Sequence, residues 1–140
     1  MGEVRLTGIT EAPLDVAAHT AAVADPAAGA VVSFTGTVRD HDHGAGVSAL
    51  HYQAHPTAAR IVAEVAAELA DRDGVIAVAV THRIGALAIG DVAIVAAVSS
   101  AHRQLAFATC SDLVDEVKAR LPVWKHQLFA DGTDEWVNSA

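Results

Sequence analysis

Apolar and polar residues alternate loosely over residues 3–9, which predicts an opening strand. Pro13 suits the first turn of a helix running to about Ala24, and Asp25-Pro26 closes it. After Gly29, the run from Ala30 to Val38 is rich in β-branched residues and reads as a strand with Arg39 at its end. Asp40-His41-Asp42-His43-Gly44-Ala45-Gly46 reads as a loop, and residues 47–54 as another strand. Pro56 opens a second helix to about Asp71, with Ala58, Ile61, Val62, Val65 and Leu69 on one face. Val75 to Val80 and Val92 to Val98 are short, nearly continuous apolar runs, the signature of strands buried on both faces. A third helix, capped by Ser99-Ser100, runs to about Leu121 with an apolar stripe of Cys110, Leu113, Val114, Val117 and Leu121. The chain ends in a hairpin, Trp124 to Phe129 and Glu135 to Val137, turning at Asp131-Gly132. Period-two alternation puts Lys125, Gln127 and Phe129 on one face of it and Trp124, His126 and Leu128 on the other. Strands and helices mix without regular βαβ alternation, so the expected fold class is α+β, with a largely antiparallel sheet and three main helices.

Composition narrows this picture. The 140 residues fit one domain spanning 1–140, and 52% hydrophobic against 19% charged residues suffices for a sizeable core. With aromatics at only 4%, that core is expected to be small and aliphatic. No apolar run reaches the roughly 18–20 residues of a membrane span, and the N-terminal residues do not read as a secretory signal. One cysteine excludes an internal disulfide, so a soluble, cytoplasmic protein is expected. A net charge of −8 argues against a nucleic-acid partner.

Within this acidic chain the basic residues stand out. The only two lysines, Lys118 and Lys125, flank Arg120 near the C-terminus, where they read as either a solvated face or an anion site. Lys118 sits about 100° from Val117 around its helix, at the edge of the apolar stripe, which predicts a half-buried side chain. His102 and Arg103 occupy the first turn of the third helix, where positive charge opposes the macrodipole by about 0.3–1 kcal/mol. A bound anion would compensate, and so would an ion pair to an acidic loop. Arg39 enters a glycine-bearing loop as either a solvated or a ligand-binding side chain. His41-Asp42-His43 has no supporting metal motif and reads as a flexible polar loop, and Cys110 as a buried, inert thiol.

In order and spacing, several segments together resemble the large, catalytic subunit family of molybdopterin synthase. These are Gly29 to Arg39, His82-Arg83-Ile84-Gly85 with Gly90-Asp91, Ser99-Ser100-Ala101-His102-Arg103 with Ala106-Phe107, Lys118 with Pro122-Val123-Trp124-Lys125, and Trp136-Val137. The resemblance implies an α/β hammerhead-type fold and a central homodimer within a heterotetramer. A small ubiquitin-like subunit at each outer end carries sulfur as a C-terminal Gly-Gly thiocarboxylate. The implied reaction is a sulfur transfer that converts cyclic pyranopterin monophosphate to the dithiolene of molybdopterin, with no metal or other cofactor on this subunit. Carried over residue by residue, the substrate pocket would comprise Thr37, Val38, Arg39, His102, Arg103, Lys118, Lys125, His126 and Gln127. Arg39 and Arg103 would bind the anion, and His102 would orient the substrate or move a proton. Lys118 would serve the reacting carbonyl as a catalytic residue, and Lys125 would hold the phosphate or the tail.

The chain departs from that pattern at three places. Gln127 stands where the family commonly has glutamate, so a carboxylate base at that position is absent. Gln53 and His55 stand where glutamate and tyrosine are usual. The competing reading is a non-catalytic module of the same fold that uses the basic pocket to hold an anion or a partner's tail.

Overall fold

A computed structural model describes residues 2–140. In chain order the elements are β1 (Glu3–Thr10), α1 (Val16–Val23), β2 (Ala30–Thr37), β3 (His41–Asp42), β4 (Ala45–Ala54), α2 (Ala58–Ala70), β5 (Val75–Arg83), β6 (Gly85–Leu87), β7 (Val92–Ser100), α3 (Arg103–Arg120), β8 (Val123–Phe129) and β9 (Asp134–Val137). This is the α+β class, antiparallel throughout except where β1 runs parallel to β5. No helix among the described residues is long and apolar enough to cross a membrane.

Two sheets divide the strands. The first has the order β1-β5-β7-β2, and its valine-rich middle strands β5 and β7 are buried on both faces. The second is built on β4, which pairs with β3, β6 and β8, with β9 beyond β8. On one face of the first sheet, α1 packs Val23 against Ala77, Ala79 and Ala97. On the other face lies the main core, where α2 contributes Val62 and Val65 and α3 contributes Leu113 and Val117, all at most 1% exposed. Each such side chain contributes about 1.5–3 kcal/mol by leaving water. The chain passes from β5 to β6 through Gly85, whose φ of 89° is left-handed. A Cβ there would also meet Glu11 Oε1 at 3.2 Å.

Several boundaries differ from the sequence reading. Helix α1 starts at Val16, because the Asp15 carboxylate accepts from Ala18 N at 3.0 Å and takes the cap role from the Pro13 turn. Residues 40–46 are not a loose loop. Asp42 pairs with Ala45 around a two-residue turn, with His43 at φ 51° and Gly44 at φ 80°. Two successive positive φ values are the mark of a type I′ hairpin, whose twist suits the strands it joins. Ser99 and Ser100 do not cap α3. They continue β7, paired to β2 through Val31 and Ala30 and to β5 through Ala77 and Val75. The N-cap is instead His102, which makes no side-chain cap bond, while Ser100 Oγ donates to its carbonyl at 2.6 Å.

Candidate active site

The first sheet and the hairpin sheet meet at a cleft of about 450 Å³. Its wall starts on β2, where the register against β7 shifts between Gly36 and Thr37. Such a shift bends a strand and re-aims the residues beyond it. A side chain at Gly36 would be crowded out, since its Cβ would lie 2.7 Å from Ile94 Cγ2. Past the shift, Val38 is buried and donates its N–H to Asp91 O at 2.9 Å, which leaves Arg39 exposed at the cleft. The last turn of α3 adds Lys118, and β8 adds Lys125 and Gln127, with β4 contributing Tyr52 to the wall.

The basic residues separate into two groups. Arg5, Arg60, Arg72, Arg83 and Arg120 are each paired with a carboxylate that does not line this cleft. Arg120 binds both oxygens of Glu68, at 3.0 and 2.8 Å, so it belongs to the α2–α3 packing and not to a shared patch with its lysine neighbours. Among the described residues only Arg103, Lys118 and Lys125 have neither an ion pair nor a side-chain hydrogen bond, and Arg39 is held by Asp42 alone. Cations without a structural partner are free for a ligand. Lys118 is an exposed residue, contrary to its expected half-burial. Its amine nevertheless sits among the cleft's atoms: loss of solvent there, and then the charge of Lys125, lower its pKa from the usual lysine value.

Not every predicted site residue comes to this cleft. Thr37, Val38, Arg39, Lys118, Lys125 and Gln127 line it. His126 does not: it faces the other side of β8, stacked on Trp136 at 4.4 Å and bonded to Asp134 at 2.7 Å. That is the alternation of the strand prevailing over adjacency in sequence. His102 and Arg103 are exposed at the opposite end of α3. Fifteen residues of helix separate Arg103 from Lys118, about 22 Å. The acidic partner that would explain their charge is absent among the described residues. Cys110 is buried on the stripe, and burial pushes its thiol up to about 11, far from a nucleophile's range.

Sequence reading missed two polar residues behind the wall, Asp42 and His82. His82 is 1% exposed and meets Tyr52 edge to face at 4.9 Å. Its Nδ1 donates to the Arg83 carbonyl at 2.7 Å, while Nε2 finds no partner in the protein. Burial, reinforced by the Lys118 charge, drives its pKa from 6.5 to about 4. Between those values the unfolded chain takes up a proton that the folded chain refuses. Stability present above pH 6.5 is therefore lost as pH falls toward 4, about 2 kcal/mol of it between pH 7 and pH 5. Urea unfolding at those two pH values measures this. His82→Gln removes the group and flattens the pH dependence, and an unchanged slope would exclude His82 as its source.

Comparison with known proteins bears on this cleft. The model of the MoaE protein family matches residues 9–120. A molybdopterin synthase catalytic subunit from Thermoplasma volcanium is 38% identical over 79% of this chain and 82% of its own length. The crystal structure of molybdopterin synthase from Staphylococcus aureus superposes with a TM-score of 0.85 at 32% identity, covering 93% of this chain and 95% of that one. A complex of subunits 1 and 2 of molybdopterin-converting factor from Helicobacter pylori shares the fold, with a TM-score of 0.73 at 19% identity over 94% of this chain and 88% of its counterpart.

Proposed function

The chain belongs to the MoaE protein family and has a catalytic role in molybdenum cofactor biosynthesis; from that premise we propose that its basic cleft performs a sulfur transfer. The donor is the C-terminal Gly-Gly thiocarboxylate of a small ubiquitin-like subunit, and the acceptor is cyclic pyranopterin monophosphate. The product is the dithiolene of molybdopterin, and the reaction takes place in the cytoplasm. The observation that carries this reading is the meeting of Arg39, Lys118 and Lys125, from three separate elements, in one cleft of a chain whose net charge is −8.

The roles follow from charge and placement. Both ligands are anions, and each charge-assisted hydrogen bond to them contributes about 1.5–3 kcal/mol. Arg39 and Lys125 hold the phosphate and the incoming tail. Lys118, whose amine sits among the cleft's atoms, faces the thiocarboxyl carbon. There its ammonium stabilises the charge that develops on the carbonyl oxygen, and its lowered pKa eases proton transfer.

His102 and Arg103 enter this scheme through a second copy of the chain. Among the described residues the outer edge of β2 is unpaired, and Phe34 on β2 and Phe107 on the adjoining face of α3 expose apolar surface. A shallow apolar groove of about 290 Å³ runs between them. A twofold contact across this strip covers that surface and carries one copy's Arg103 toward the other's Lys118.

Incubation with thiocarboxylated small subunit and cyclic pyranopterin monophosphate tests the proposal, with dithiolene formation as the readout. Binding of both without sulfur transfer would favour the non-catalytic module instead.

A further inference from the structure

The departure at Gln127 acquires a physical counterpart in the fold. Gln127 is 4% exposed, and its Nε2 donates to Asp42 Oδ2 at 2.8 Å, a buried contact across 85 residues of sequence. The other oxygen of the same carboxylate, Oδ1, accepts from Arg39 Nη2 at 3.1 Å. Asp42 reaches both partners because the I′ turn at His43–Gly44 folds β3 back on β4, while β4 pairs with β8. One side chain thus ties a buried amide of the cleft to an exposed guanidinium of the cleft.

We propose that Asp42 is a positioning residue for anion binding: by bridging Gln127 and Arg39 it fixes the direction of the guanidinium and leaves its remaining N–H groups to the substrate's phosphate. The inference rests on the sulfur-transfer reading for the identity of that phosphate. Asp42 and Gln127 form a matched pair, an acid on the hairpin facing an amide on β8. A glutamate at 127 would set a second carboxylate against the first at hydrogen-bond distance, where two negative charges cannot both persist without cost. In this chain the carboxylate of the pair stands on β3 and the amide on β8, so substitutions at 42 and 127 are expected to be coupled. Consistent with this geometry, the Gln127 hydrogen bond, and then the charges of His43, Lys125 and Arg39, hold the Asp42 carboxyl below its usual range. Asp42 is therefore ionised at neutral pH.

Three variants test the pairing: Asp42→Asn, Gln127→Glu, and the two combined. Asp42→Asn is expected to raise KM for cyclic pyranopterin monophosphate about tenfold, with kcat within about twofold, because binding and not chemistry loses its support. Gln127→Glu alone is expected to weaken binding as much or more. The combined swap returns a carboxylate–amide pair in reversed order and brings KM back to within about threefold of the parent. Thermal melting of all three separates loss of binding from loss of fold. Unchanged KM in Asp42→Asn, or a combined variant no better than the worse single one, overturns the inference. A second readout, inorganic phosphate binding followed by NMR titration, is expected to show the same loss and recovery. Recovery there with no turnover by the parent protein would sink the sulfur-transfer reading while leaving Asp42's role standing, whereas an active parent with no loss in Asp42→Asn sinks only the role.

Discussion

Lys118→Ala is expected to lower sulfur transfer by about a hundred- to a thousandfold in a protein that stays folded, the scale on which removing a preorganised charge-stabilising group acts. The fold has little to lose at this position. Lys118 is exposed, and among the described residues its side chain has no hydrogen bond or ion pair. Its amine sits beside the like charge of Lys125 in a place where both solvent loss and that charge disfavour the ammonium. Truncation therefore relieves repulsion, and the melting temperature should hold or rise slightly. A cation kept where it is electrostatically disfavoured needs a ligand to justify it, and the thiocarboxylate tail of the proposed reaction would be one. Lys118→Arg refines the assignment. It preserves the charge but gives up readily transferable protons, so retention of a tenth or more of the rate points to charge stabilisation, and a loss as deep as alanine's points to proton transfer. Single-turnover assays with thiocarboxylated small subunit, paired with melting curves, decide both points. Parent-like turnover by the alanine variant would remove Lys118 from the chemistry.

How much of this was legible in the sequence depends on how local each determinant is. The α3 stripe from Cys110 to Leu121 and the doubly buried runs of β5 and β7 follow from periodicity, which needs only neighbours along the chain. Strand alternation separates Lys125 and Gln127 from His126, and the structure keeps that separation against a residue-by-residue carry-over that grouped all three. The serine cap failed for the opposite reason. Ser99 and Ser100 have cap chemistry, but two flanking strands claim their backbone, and no local pattern announces that pairing. Asp42 was hidden in the same way. Within its hairpin it reads as one more polar residue, and its role exists only once β4 brings β8 alongside. The free state of Arg103, Lys118 and Lys125 is likewise a global property, visible only after the other arginines have found their acids.

Mixing two inactive variants should restore activity. Lys118→Ala removes the cleft lysine of its own chain, and Arg103→Ala removes the arginine about 22 Å away along the same helix. If each working site draws Lys118 from one copy and Arg103 from the other, both homodimers are dead at both sites. A mixed dimer is different: one of its sites lacks both groups, and the other has both intact. Random exchange makes half the dimers mixed, so about a quarter of the sites recover. On this proposal two copies are needed, because the rigid span of α3 keeps Arg103 from reaching its own chain's cleft. The copies of the proposed dimer meet on the surface that Phe34 and Phe107 expose. Phe107→Glu should weaken the dimer in sedimentation and lower activity with it. Equimolar variants are to be denatured together, refolded and assayed against each variant treated alone. Recovery near a quarter of parent activity is the expected result. Failure to recover, with mixed dimers demonstrated by differential tagging, would show that Arg103 does not complete a neighbour's site.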